Sequence, residues 1–173
     1  MALIFLSENG QKNVILKSFA CGVLLLLLFA CAAPEKESTI IDLISENKSK
    51  WRSWNILTYS FELNRTPVDC PLVDAFPPVE IIVNQGEVST VYVPSLGAYE
   101  DADNWPSIDD LFKTMLNEAS DEPRVFSLSS SEPNALPQFD AQYGFPSRYY
   151  VDLSAAECDA TDFQLNNFQT SVN

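Results

Sequence analysis

Cys31 directly follows Leu28-Phe29-Ala30 at the end of a leucine-rich run. A thiol behind a small residue that a processing peptidase accepts can carry a lipid and become a new N-terminus. Lys12 and Lys17 precede the apolar stretch from Phe19 to Ala33, which is interrupted only by Gly22. As a helix this stretch would reach roughly 22 Å, short of the ~30 Å hydrocarbon core of a bilayer, so it fits the apolar region of a secretory signal better than a spanning helix. The expectation is a lipoprotein signal peptide over 1–30, a lipid on Cys31, a flexible tether over 31–38 and one folded domain over 39–173. Phe29 is bulkier than the usual residue at its place. Two alternatives stand beside lipidation: cleavage around Ala30-Cys31-Ala32 that releases a soluble chain, and retention of the segment as an anchor.

The chain contains no histidine. That removes His-based zinc sites, Ser-His-Asp and Cys-His catalysis, and histidine pH switching. With Cys31 assigned to lipid, Cys70 and Cys158 form a unique pair, and an oxidising compartment would bridge them. Two free thiols in redox chemistry are the alternative, with no Cys-x-x-Cys to favour it. Ser45-Glu46-Asn47-Lys48 matches the Ser-x-x-Lys of penicillin-interacting enzymes, but it has no Lys-Thr-Gly partner and falls in a polar helical stretch.

Carboxylates dominate what remains. The net charge is −14, from 24 acidic and 10 basic residues. Such a surface disfavours nucleic acid and anionic lipid headgroups, and leaves basic partners, divalent cations or plain solubility. Glu100, Asp101, Asp103 and Asn104 cluster in one loop beside Trp105 and could ligate calcium through oxygen, although the loop lacks the glycine and terminal glutamate of an EF-hand. A solvated loop is the simpler expectation, and neither a metal nor a cofactor is expected. A glycosidase-like carboxylate pair is compatible with so many acids, and the same abundance keeps any pair from standing out. Glu100, Asp101, Asp103 and Trp105, with Asp140, Tyr143 and Asp152 further along, are the candidate binding residues.

The elements that must position these groups are legible in part. Thr39, or Ser38, can cap a helix over about 39–54, with Asp42 completing a capping box. Leu57, Tyr59, Phe61 and Leu63 alternate with Thr58, Ser60, Glu62 and Asn64, which predicts a half-buried strand ended by Arg65-Thr66-Pro67. Val79–Val83 and Val88–Val93 flank a turn in which Gly86 supplies a positive φ, and so form a hairpin. Residues 95–106 read as a loop. Ser107-Ile108-Asp109-Asp110 opens a second helix, and Ile108, Leu111, Phe112, Met115, Leu116 and Ala119 place one apolar stripe along 108–119. Strand-like segments follow at Val125–Leu128, Gln138–Gln142, Arg148–Leu153 and Phe163–Phe168. The pattern predicts an α+β domain: an antiparallel sheet of about five to six strands with two helices packed on one face.

Several spaced features then align. They are Trp54 and Ile56 with Tyr59-x-Phe61-x-Leu63-x-Arg65; Val83-Asn84-x-Gly86-x-Val88-x-x-Val91; Ser107-Ile108-x-x-Leu111-Phe112; and Phe139-Asp140-x-x-Tyr143-Gly144-Phe145-Pro146-x-x-Tyr149-x-x-Asp152. In order and spacing the chain resembles, over about 50–168, a bacterial family known as domain of unknown function 6174, common in lipoproteins. It departs from that pattern in a longer 126–138 segment and in its Cys70/Cys158 arrangement. The resemblance implies the fold and an extracytoplasmic location, and carries over no activity. In the last motif, Gly144 and Pro146 would set a turn, with Asp140 and Asp152 bracing it or pairing with Arg65 or Arg148.

The function expected is that of a membrane-tethered extracytoplasmic lipoprotein, a non-catalytic binding or interaction module of the cell envelope. It would be held by the lipid on Cys31, facing the periplasm or the cell surface, with an envelope protein as partner. The runner-up is a small carboxylate-based hydrolase or carbohydrate-active protein, and a passive envelope protein is a third reading. Whether Trp105, Tyr99, Tyr143 and the acids near them line one concave pocket separates the first two.

Overall fold

The computed structural model describes residues 39–71, 73 and 75–170. The expected signal peptide, the tether and Cys31 lie outside the described residues. Among those described, no helix is long and apolar enough to cross a membrane.

Helix α1 (Ile40–Ser53) starts at Thr39, whose hydroxyl accepts from the Asp42 amide while the Asp42 carboxylate accepts from the Thr39 amide. Two of the otherwise unpaired amides at the helix start are thereby satisfied. Helix α2 (Ile108–Ser120) repeats the device with Ser107 and Asp110. Its first amide, on Ile108, donates to the buried hydroxyl of Tyr59 at 3.0 Å. Burial pushes that phenol well above its ordinary pKa.

The strands are β1 (Tyr59–Pro67), β2 (Val79–Asn84), β3 (Glu87–Val93), β4 (Ala98–Glu100), β5 (Val125–Ser127), β6 (Gln138–Phe139), β7 (Pro146–Asp152) and β8 (Ala160–Thr170). They form one antiparallel sheet in the order β4-β3-β2-β1-β8-β7-β5, with β6 also paired to β7. The α+β class and antiparallel sheet therefore stand, and eight strands among the described residues replace the expected five to six. β4 is the clearest addition. It is three residues long, exposed throughout and read from sequence as loop, so it carries no alternation to detect. β1 also runs through Arg65 and Thr66 rather than ending there.

Both helices lie on the face that carries Tyr59. Trp51 of α1 meets the Tyr59 ring edge-on at 5.2 Å, and α2 begins on the Tyr59 hydroxyl. Tyr59, Phe61 and Leu63 of β1, Val79, Ile81 and Val83 of β2, and Val91 and Val93 of β3 are buried with Ile44, Trp51, Ile108, Leu111, Phe112 and Met115. The strict buried–exposed alternation of β2 follows from the two-residue period of a strand. The helices are tied to each other at Asp109, which accepts from the Trp51 indole at 3.2 Å and from Arg52 at 3.1 Å.

One irregularity shapes the core. Opposite Ser60–Glu62 of β1, strand β8 advances from Asn166 to Gln169, one residue more than its partner, and Asn167 takes a φ of +53°. This bulge turns Phe168 inward, where it meets Trp51, Tyr59, Tyr143 and Phe145.

Candidate functional site

The strand alternation that buries Tyr59, Phe61 and Leu63 carries Arg65 onto the same face. A cation on a core face demands an explanation, because long charged side chains seldom sit there unpaired. The Arg65 guanidinium lies 4.9 Å from the ring centroid of Phe76 and 5.6 Å from that of Trp105, within reach of a cation–π interaction with each. Among the described residues it has no hydrogen-bond or ion-pair partner. The other arginines differ: Arg52 pairs with Asp109 at 3.1 Å, Arg124 with Asp152 at 2.6 Å and Arg148 with Asp162 at 3.4 Å.

Two adjoining clefts share Arg65 and Phe76. One, of about 210 Å³, adds Pro77, Val79, Glu100, Asn104 and Trp105. The other is walled by Phe163, Thr161 and the Cys70–Cys158 disulfide. That disulfide joins the β1–β2 connection to the β7–β8 connection across 88 residues. Asp69 works beside it, accepting from the Ala160 amide at 3.1 Å.

Phe163 lies opposite Arg65 on β1 and opposite Tyr149 on β7. Tyr149 is fully buried, stacks on Phe163 at 4.5 Å, and its hydroxyl has no partner among the described residues. Burial raises its pKa well above the ordinary phenol range, and the charge of Glu118 adds to this while that of Arg65 opposes it. Glu118, near the end of α2, has one buried carboxylate oxygen without a partner among the described residues, and burial pushes its pKa up to about 7.

The residues singled out from sequence do not converge. Glu100 and Trp105 do line the Arg65 cleft, with the Trp105 indole donating to the Glu100 carboxylate at 2.9 Å. Asp101 accepts from the Asp103 amide at 3.2 Å and so caps the 3-10 turn Ala102–Asn104, which contains Asp103. Tyr99 is exposed and packs on Tyr92. Tyr143 sits elsewhere, against Trp54 and Phe168. Asp140 accepts from the Gln142 and Tyr143 amides, at 2.9 and 2.6 Å, and braces the turn before β7. Asp152 is buried and pairs with Arg124, not with Arg65 or Arg148. Among the described residues no three His, Cys, Asp or Glu side chains gather as a metal site. Arg65, Phe76 and Phe163 were not singled out as a site. The usable signal was Arg65 continuing the apolar alternation of β1.

The turn before β7, the Gly86 hairpin, the capped α2 and the inward residues of β1 thus form one connected core, in the order and spacing noted from sequence. The family of unknown function DUF6174 matches residues 43–170. The chain belongs to that family. The DUF6174 match spans every strand and all of α2, together with most of α1, so Arg65, both clefts and the disulfide fall within it. No curated protein matches the sequence.

Proposed function

We propose that this DUF6174 protein is a lipid-tethered extracytoplasmic binding module of the cell envelope, held by Cys31 and presenting the Arg65 side of its sheet to a ligand or partner. The observation that carries the reading is the Cys70–Cys158 bridge. Structural disulfides persist in oxidising compartments and are rare in the cytosol, so the bridge supports what the signal-like segment and Cys31 suggest. The scatter of Asp101, Asp140, Asp152 and Tyr143 over separate structural duties supports binding over carboxylate catalysis at those residues.

The test compares wild type with Cys31→Ser in cells fed a labelled fatty acid and then cross-linked. Label on the wild type alone, with a stoichiometric envelope partner lost from the variant, is the expected result. A wild type that stays unlabelled and cytosolic overturns it.

One observation favours the second reading, a carboxylate-based hydrolase or carbohydrate-active protein. Glu62 and Glu80 stand directly opposite each other on β1 and β2, and line a shallow depression with Ser60, Asn167 and Gln169. Turnover of a glycan by the wild type and its loss in Glu80→Gln would move the assignment there.

A further inference from the structure

We propose that the cleft at Arg65 binds a carboxylate carried on an aromatic or apolar body; this rests on the binding-module reading above and names its ligand chemistry. Arg65 is a half-buried arginine with no acceptor among the described residues, in a chain with 24 acidic residues and 10 basic ones. Contacts with the rings of Phe76 and Trp105 engage the guanidinium carbon and its π surface. They leave the forked N–H donors, which match a carboxylate in bidentate fashion, without an acceptor. Glu100 is the carboxylate among the described residues that line the cleft, and it accepts from the Trp105 indole.

The surroundings narrow the ligand further. Phe76, Pro77 and Trp105 offer ring and aliphatic surface next to the cation, and Asn104 adds an amide. These suit a flat or branched apolar body. A doubly charged phosphate fits less well, because Glu100 stands in the cleft and the chain's net charge of −14 repels anions at range. A single negative charge with a large apolar share meets the least opposition. Such a group is presented equally by a small free acid and by the C-terminal carboxylate of a peptide ending in an apolar residue.

The full chain, labelled with nitrogen-15, is titrated with 3-phenylpropionate and with its neutral amide. A second arm uses a tetrapeptide ending in phenylalanine, as free acid and as C-terminal amide. The readouts are the Trp105 indole N–H resonance, assigned with Trp105→Phe, and a dissociation constant from calorimetry. The expected result is that at least one acid shifts the Trp105 signal and binds about tenfold or more tightly than its amide, as loss of a charge-assisted hydrogen bond implies. The arm that binds tighter identifies the source. Arg65→Gln abolishes the preference for acid over amide. Phe76→Ala, at an exposed loop position, weakens binding several-fold without disturbing the strands.

The proposal fails if acid and amide bind alike, or if neither moves the Trp105 signal at 10 mM, a generous limit for so small a ligand. It also fails if Arg65→Gln retains the preference. None of these outcomes bears on the label at Cys31 or on partner capture, so loss of this ligand class and loss of the tethered-module reading are separate results.

Discussion

Gly144 packs so closely on α1 that a Cβ placed on it would lie 2.9 Å from the carbonyl oxygen of Asn47 and 3.1 Å from the side chain of Lys50. Its φ of +85° lies in the left-handed region. The turn around it is held from several sides: Lys50 donates to the Ala141 carbonyl at 2.5 Å, the Trp54 indole donates to the Gln142 carbonyl at 3.2 Å, and Asp140 accepts two amides of the turn. Gly144→Ala combines an unfavourable backbone conformation with a clash against backbone, and is expected to destabilise the domain by about 2–4 kcal/mol in a denaturant titration. A change below about 0.5 kcal/mol, within the range of ordinary surface substitutions, would mean the turn can withdraw from the helix.

Asp152 is 4 % exposed and depends on an arginine that is itself 60 % exposed. Removing Arg124 leaves this buried carboxylate with the Tyr150 hydroxyl at 3.5 Å, and its other oxygen has no partner among the described residues. Arg124→Ala should cost about 1–3 kcal/mol, reduced from the fully buried case because Arg124 stays hydrated. Asp152→Asn in the Arg124→Ala background should recover much of that loss, and a double-mutant cycle measures the coupling.

Glu118 gives the stability a pH dependence with a defined sign. Its folded pKa, about 7, lies above the ordinary carboxylate value because burial opposes the charge. The folded state therefore binds more protons than the unfolded state between roughly pH 4.5 and 7, and this residue's contribution declines as pH rises through that window. Glu118→Gln should stabilise the protein by about 1–3 kcal/mol at pH 8 and change little at pH 4. Thermal melts of both proteins across this range test it; a benefit that grows toward low pH would contradict the assignment.

The Cys70–Cys158 bridge closes an 88-residue separation. Chain entropy puts its contribution at roughly 3–5 kcal/mol. Replacing both cysteines by alanine should lower the denaturation midpoint accordingly, and a reducing agent should reproduce the shift in wild type and leave the double variant unmoved.

The parts of this fold that announce themselves in the sequence are those with strong period or chemistry. Both capped helices, the Gly86 hairpin and the inward set Tyr59, Phe61 and Leu63 are of this kind. β4 is not legible because its three exposed residues show no alternation and its pairing to β3 is a tertiary fact, while β6 is shorter than the Gln138–Gln142 segment expected for it. The site was harder for a different reason. The abundance of acids drew attention to carboxylates, most of which turned out to cap, brace or pair locally. Arg65 draws its significance from what does not stand next to it, and Phe76 reaches it from a loop 11 positions along the chain.

The extra residue at Asn167 also determines how β8 can vary. Leu165 and Phe168 both face the core, yet they are an odd number of positions apart, so a regular strand could bury one and would expose the other. The bulge acts as a frame correction for everything that follows it. Deleting Asn167 would bring Leu165 and Phe168 two positions apart, so a regular strand would carry both inward, set Phe168 opposite Phe61 and keep Gln169 and Thr170 opposite Ser60 and Tyr59. The strand can therefore lose a residue at this point by losing its bulge, whereas removing Gln164, where β8 pairs regularly with β1, would exchange the inward and outward side chains on one side of the deletion.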